Sequence, residues 1–214
     1  MQETHPKISI LDRAYALETP ADSRRLYADW AETYDQSFAR AHDYQAPSHV
    51  AAAYKAAGGI GPVLDVGAGT GLCGQALVKL GIGPVDATDI SREMLNVAER
   101  KRLYRKLFAG DLNGRLPVDD AAYEGVVSSG TFTCGHVGPA ALEELLRITH
   151  PGGLLVLSIN RAHYRARGFE AKLRALRHRI TDLRLTEHPI YGAKATGPHR
   201  DDTLYIAQFR RVRG

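Results

Sequence analysis

Cysteine is scarce in this chain: Cys73 and Cys134 are the only two among 214 residues. Two isolated thiols give neither a metal-ligand spacing nor a disulfide framework. Long apolar runs are missing too, since nothing approaches the about 20 residues of a membrane-spanning helix. The opening residues, MQETHPKISI, lack the charged-then-apolar layout of a secretory signal. There are no internal repeats and no low-complexity tract. These absences argue against a secreted disulfide scaffold, a membrane protein and a repeat array, and leave a cytoplasmic globular protein as the expectation. The length suits one α/β domain with a buried core and is short for two.

Neither sign of charge dominates, with 28 Lys and Arg against 24 Asp and Glu, but the excess is local. Between Arg161 and Arg184 lie eight basic residues and only Glu170 and Asp182, so that segment carries +6 and the remainder −2. The basic balance therefore reports one stretch and not a chain built to wrap nucleic acid.

What is present centres on residues 63–77, VLDVGAGTGLCGQAL. An apolar run gives way to glycines at 67, 69 and 71, and a helix-like segment (72–80) follows. A strand thus ends where a ligand can approach bare backbone, in front of a helix N-terminus with unpaired N–H groups. Upstream, residues 1–20 read as a flexible lead-in to a single domain over 21–214. A helix begins near Ala21-Asp22-Ser23 and carries Leu26, Tyr27, Trp30, Ala31, Tyr34 and Phe38 at helical spacing; a second spans 47–57. Residues 21–58 are expected to form a helical lid, packed by its apolar face, with Tyr27, Trp30 or Tyr34 also able to close over a ligand. Within a sheet core at 61–214, strands are expected at 63–66, 84–88, 104–109, 123–129 and 154–159. Helices at 72–80, 92–103 (capped by Ser91) and 139–149 alternate with them, and a glycine-rich loop covers 130–138. A basic helix at 169–180 and two strands at 183–190 and 204–209, an antiparallel edge, complete the chain. This is the pattern of an α/β, doubly wound, mostly parallel seven-stranded sheet with its ligand at the carboxyl ends of the strands.

Three details narrow the ligand. No Gly-Lys-Ser/Thr follows the glycines, so the phosphate loop is excluded. Leu72 stands where the dinucleotide fingerprint wants glycine. Asp65, two residues before Gly67, would repel a pyrophosphate and suit an ammonium group. Asp89, at the end of the second strand, can accept from both hydroxyls of a ribose. Asp111, at the end of the third, can accept from an adenine amino group while Leu112 covers the ring. In order, Asp65, Asp89 and Asp111 offer partners for an amino group, a ribose and an adenine.

The segments DVGAGTG, TDIS with MLNVA, AGDL and HPGGLLVLSI resemble those of class I S-adenosylmethionine-dependent methyltransferases, over about residues 26–159. Within that group YADWAETYD, MLNVAERKRLYRKL and SSGTFTCGHVGPAALEELLR are similar to the small methyltransferase-like proteins named for the Williams–Beuren region and their bacterial relatives. The resemblance implies a Rossmann-like fold and S-adenosyl-L-methionine as cofactor, without a metal. It implies Gly67, Ala68, Gly69 and Gly71, with Thr70 in the same turn, along the methionine part. It further implies Asp89 at the ribose, Ile90 or Met94 against the adenine, and Asp111 and Leu112 at its edge. Gly130 and Thr131, with Phe132, would face the sulfonium, and Tyr27 or Tyr34 would cover it.

Transfer of a methyl from sulfonium to oxygen or nitrogen is an in-line displacement, so much of the acceleration can come from alignment. A base is needed only where the acceptor loses a proton. His136, in the loop after the fourth strand, is the candidate base, with loop stabilisation as its alternative role; His163 is a weaker candidate for the same place. Cys134 follows Thr133 rather than the proline of cytosine C5 methyltransferases, and reads as a small loop residue. The basic segment is a solvated helix face first, and second an attraction for an anionic acceptor through Arg161, Arg165 or Arg167. Nucleic-acid binding ranks third, because exposed aromatics do not interleave with the basic residues. Ser128-Ser129-Gly130-Thr131-Phe132 also stands where amino-methylating DNA and RNA enzymes carry Asp/Asn-Pro-Pro-aromatic. A small-molecule acceptor, no membrane and no nucleic acid are therefore expected. An RNA or protein methyltransferase, a non-catalytic cofactor-binding protein and a nicotinamide oxidoreductase are the rival readings.

Overall fold

The computed structural model describes residues 13–14, 19–133 and 137–213. Cys134 and His136, and most of the 1–20 lead-in, lie outside the described residues.

The N-terminal layer begins with helix α1 (Pro20–Trp30), where Thr19 Oγ1 accepts the Asp22 N–H at 3.1 Å. Proline at the first position loses no hydrogen bond there, which is why the helix starts ahead of the expected Ala21. The aromatic stripe does not continue as one α-helix. After a turn, Asp35–Arg40 winds as a single π-helical stretch, and Phe38 is buried within it. Trp30 contacts Tyr34 and Phe38 at centroid separations of 4.8 and 5.3 Å and donates from Nε1 to Ser37 Oγ at 2.9 Å. Helix α2 (Ala46–Ala56) buries Val50, Ala51 and Tyr54 against the sheet.

The sheet has seven strands in the order β3-β2-β1-β4-β5-β7-β6. They are β1 (Val63–Val66), β2 (Val85–Asp89), β3 (Leu107–Ala109), β4 (Tyr123–Phe132), β5 (Thr149–Asn160), β6 (Ile180–Pro189) and β7 (Thr203–Arg211). β1 pairs in parallel with both β2 and β4, Val63 facing Val85 and Gly125. All four β1 residues are buried, as a central parallel strand requires. β7 runs antiparallel to β5 and β6, so the expected antiparallel edge is present. Helices α3 (Leu72–Lys79), α4 (Arg92–Arg100) and α5 (Ala141–Ile148) cross over between parallel strands. One face of the sheet packs Leu142, Leu145, Leu146 and Phe169; the other packs Tyr54, Leu77, Trp30 and Phe38.

Three expectations are corrected. α4 stops at Arg100 and not at 103, because Arg102 takes a left-handed conformation, φ 54°. The two cations at the helix end then meet the N-terminal layer: Arg100 pairs with Glu32 at 2.7 Å and Lys101 with Asp35 at 2.5 Å. The fourth strand runs past 129 to Phe132, across a register shift between Ser128 and Phe132, which takes up the start of the expected loop. The basic helix is shorter than 169–180. A short helix α6 (Arg161–Ala166) precedes it, α7 (Phe169–Ala175) gives way to a 3-10 turn at Leu176–His178, and Ile180 joins β6 opposite Arg211. Pairing with β7 overrides the helical spacing of Ile180.

Candidate functional site

At the switch point between β1 and β4 the carboxyl ends of the strands open into a cavity. The glycine turn after β1 is strapped to β2, with the Gly67 and Ala68 N–H groups donating to the Thr88 carbonyl at 2.8 and 3.0 Å. Gly67 and Gly69 adopt φ of 65° and 55°. Asp89 holds the turn from the next strand end: Oδ2 accepts the Gly69 N–H and Oδ1 the Ser91 N–H, each at 2.8 Å. Burial pushes its carboxyl above the ordinary value, and those N–H donors oppose the shift. Thr70 Oγ1 donates to Asp35 Oδ1 at 2.6 Å, which ties the turn to the N-terminal layer.

Most of the residues singled out from the sequence meet at this cavity. Gly67, Ala68, Gly69 and Thr70 form one wall, and Asp89, Ile90 and Met94 the next. Asp111 and Leu112 follow from the end of β3, Gly130 and Thr131 from β4, and Tyr27 and Tyr34 from the N-terminal layer. Bare backbone beside a half-buried carboxylate is a cradle that fits an adenosyl ligand. Trp30 is buried in the layer and is not among the lining residues.

Two glycine-turn assignments are corrected. Gly71 is left-handed, φ 92°, and caps α3 behind the turn, packed towards Tyr104. Asp65 is fully buried beneath the turn: Oδ2 accepts the Gly74 N–H at 3.0 Å and the Tyr104 hydroxyl at 2.7 Å. Neither lines the cavity. Asp65 supports the turn from behind through Oδ2, while its Oδ1 is buried without a hydrogen-bond partner.

Burial raises the Asp65 carboxyl to about 7, against which the Tyr104 and Gly74 hydrogen bonds act. The folded chain then keeps a proton that the unfolded chain releases near 3.8, so stability falls as pH rises from about 4 to about 7. Asp65→Asn is expected to gain stability relative to the parent between pH 5 and pH 8, by on the order of 5 °C in calorimetric melting temperature. A difference between the two proteins that does not change with pH would show that Asp65 titrates normally.

His163 is buried, with Nε2 at 3.0 Å from the Val137 carbonyl and its imidazole pushed down by burial. It anchors the chain just after residue 136 and does not line the cavity. None of the eight basic residues of 161–184 lines it either. Arg161 pairs with Glu187, Lys172 and Arg179 with Glu143, and Arg174 with Glu170.

Tyr44, Pro47, Cys73, Thr88, Ser129 and Val137 are among the lining residues that local sequence does not mark. Tyr44 is placed by a bridge to Tyr191, far along the chain, for which no local spacing is a signal. The hydroxyls around Ser129 were legible only as a polar stretch. Ser128 Oγ and Thr131 Oγ1 donate to the Val66 carbonyl at 2.7 and 3.1 Å, and Ser158 Oγ accepts the Gly130 N–H at 2.9 Å. They stitch the irregular end of β4 to its neighbours.

Residues 63–153 match the family described as a methyltransferase domain. Over 96 residues the chain is 38% identical to the demethylmenaquinone methyltransferase of Renibacterium salmoninarum, covering 45% of this chain and 40% of that protein. Over 151 residues it is 32% identical to human Methyltransferase-like protein 27, covering 68% of this chain and 60% of that protein. The chain thus spans less than two thirds of the curated relatives it matches. A crystal structure of a putative S-adenosyl-L-methionine-dependent methyltransferase from Methanococcus maripaludis superposes with a TM-score of 0.59 at 18% identity, covering 99% of this chain and 97% of that one. That likeness shows the fold.

Proposed function

We infer that this chain, which carries a class I S-adenosylmethionine-dependent methyltransferase domain, catalyses direct methyl transfer to an oxygen or nitrogen of a small molecule. The observation that carries this reading is the pairing of bare glycine backbone with Asp89 at the switch point of the sheet. S-adenosylmethionine, when bound, supplies a sulfonium-activated methyl group. Gly67, Ala68, Gly69 and Thr70 would hold its methionine part, Asp89 its ribose, and Ile90, Met94, Asp111 and Leu112 its adenine. Tyr27 and Tyr34 would exclude water above it; burial pushes both phenols upward and keeps them protonated. They therefore orient and do not take protons. Where the acceptor must lose one, His136 is the base we assign.

A small acceptor is favoured over RNA or protein because the cavity is walled by the N-terminal layer and, among the described residues, presents no Lys, Arg or His. The matched demethylmenaquinone methyltransferase also acts, by its name, on a small molecule. Calorimetric titration with S-adenosylmethionine and with NAD, followed by turnover on a small-molecule panel, tests the reading. We expect the sulfonium to bind and NAD not to. Binding of NAD alone would sink it, and cofactor binding without turnover would leave a non-catalytic binder. His136→Ala should lower turnover at unchanged cofactor affinity; unchanged turnover makes His136 structural.

A further inference from the structure

The cavity has two chemically different ends on either side of the glycine turn. On the β2–β3 side stand the carboxyl groups of Asp89 and Asp111. Adjacent strands lie about 4.8 Å apart, so the β4 side is roughly 10 Å away, across β1. There the wall includes Tyr44, Ser129, Gly130, Thr131 and Val137. Ser129 Oγ is buried within this wall.

The neighbour of that hydroxyl is the Tyr44 phenol. Its ring is held from two sides. The backbone around it pairs with the β6–β7 connection, with the Gln45 N–H donating to the Ile190 carbonyl at 2.9 Å and the Gly192 N–H to the Asp43 carbonyl at 2.8 Å. Phe38 packs against the ring at a centroid separation of 5.1 Å. The Tyr44 hydroxyl hangs over Gly130, where a Cβ would lie 2.6 Å from it and the backbone is left-handed, φ 81°. Glycine at 130 therefore makes room for the phenol, and a distant segment of the chain aims it. Nothing in the fold of the sheet needs a hydroxyl there, since Ser128, Thr131 and Ser158 already secure the end of β4.

Resting on the methyltransferase reading above, we propose that Tyr44 and Ser129 form an acceptor-recognition pair for an uncharged hydroxyl or carbonyl oxygen carried on a flat apolar body. Two neutral hydroxyls, each able to donate and accept, match one such oxygen. The phenol and pyrrolidine rings of Tyr44 and Pro47 offer apolar, partly aromatic surface for the body. Burial pushes the Tyr44 phenol upward, so it stays a donor throughout the physiological range. A carboxylate or phosphate is disfavoured here. It would lose its hydration without gaining a cation among the described lining residues, and it would share the cavity with Asp89 and Asp111. The basic 161–184 segment then plays no part in choosing the acceptor.

The test uses the full chain saturated with S-adenosylhomocysteine and two matched probes, 2-naphthol and 2-naphthoate, titrated calorimetrically. The naphthol is expected to bind at least tenfold more tightly than the naphthoate. Tyr44→Phe and Ser129→Ala, which remove only an oxygen, should each weaken the naphthol by about fivefold or more while leaving S-adenosylhomocysteine affinity within about twofold. The unchanged cofactor affinity shows that the variants are folded. Naphthoate binding as tightly as naphthol, neither probe binding the complex, or naphthol affinity indifferent to both substitutions overturns the acceptor pair alone. Failure of the parent protein to bind S-adenosylhomocysteine, seen before any probe is added, removes the cofactor reading and this proposal with it.

Discussion

Asp89→Ala is expected to weaken S-adenosylhomocysteine binding by at least tenfold and to lower the melting temperature as well. The structure shows why the effect is double. Both carboxylate oxygens are committed to the fold, one to Gly69 in the turn and one to Ser91 at the start of α4. Each oxygen has lone-pair capacity left for a ribose hydroxyl. A charge-assisted hydrogen bond contributes about 1.5–3 kcal/mol, and about 1.4 kcal/mol is a factor of ten in affinity. Alanine also strands two backbone N–H groups and frees the glycine turn, so the binding loss should exceed that of a lone ribose contact. Asp89→Asn separates the two contributions, because its single carbonyl oxygen keeps part of the turn while the charge is gone. If alanine at 89 binds the ligand as tightly as the parent in calorimetry, Asp89 serves the turn alone.

Gly67→Ala should be the most damaging single-methyl change in the site. Gly67 sits at φ 65°, where a side chain costs about 1–2 kcal/mol. The added Cβ would fall on Thr131, which is anchored on the Val66 carbonyl and cannot turn away without giving up that bond. Overpacking of this kind adds about 1–3 kcal/mol, so a loss of roughly 2–5 kcal/mol and about 5–20 °C in melting temperature is expected, with cofactor binding lost beside it. Thr131→Gly in the same chain removes the collision and leaves the backbone strain, so the double variant should recover part of the stability. A single variant that melts with the parent would show that the turn is more pliable than its hydrogen bonds to Thr88 imply.

Legibility from sequence follows how local each feature is. β1, the glycine turn and α3 are written in consecutive residues, as an apolar run, left-handed positions and a helix start. The strand-end placement of Asp89 and Asp111 follows once the alternation of strands and helices is recognised. The motif places Asp65 beside the glycine turn but says nothing of which way its carboxyl turns; Gly74 and Tyr104 take up its Oδ2. The aromatic stripe from Leu26 to Phe38 was legible as buried surface but not as a helix broken by a π-helical stretch. Ile180 fits either period, and pairing with Arg211 chose the strand.

Composition and motif alone determine the fold class, the glycine cradle and the acidic end of the cavity, because each depends on backbone conformation or on a residue within one strand-turn-helix unit. Tertiary structure alone decides the other end. Tyr44 reaches Gly130 because residues 43–45 pair with 190–192, and Ser129 joins the lining where β4 shifts register before Phe132. Those contacts join parts of the chain well over a hundred residues apart or hinge on a two-residue shift of register. No local period encodes either, so the glycine turn could be recognised in the sequence while the wall opposite it had to be seen folded.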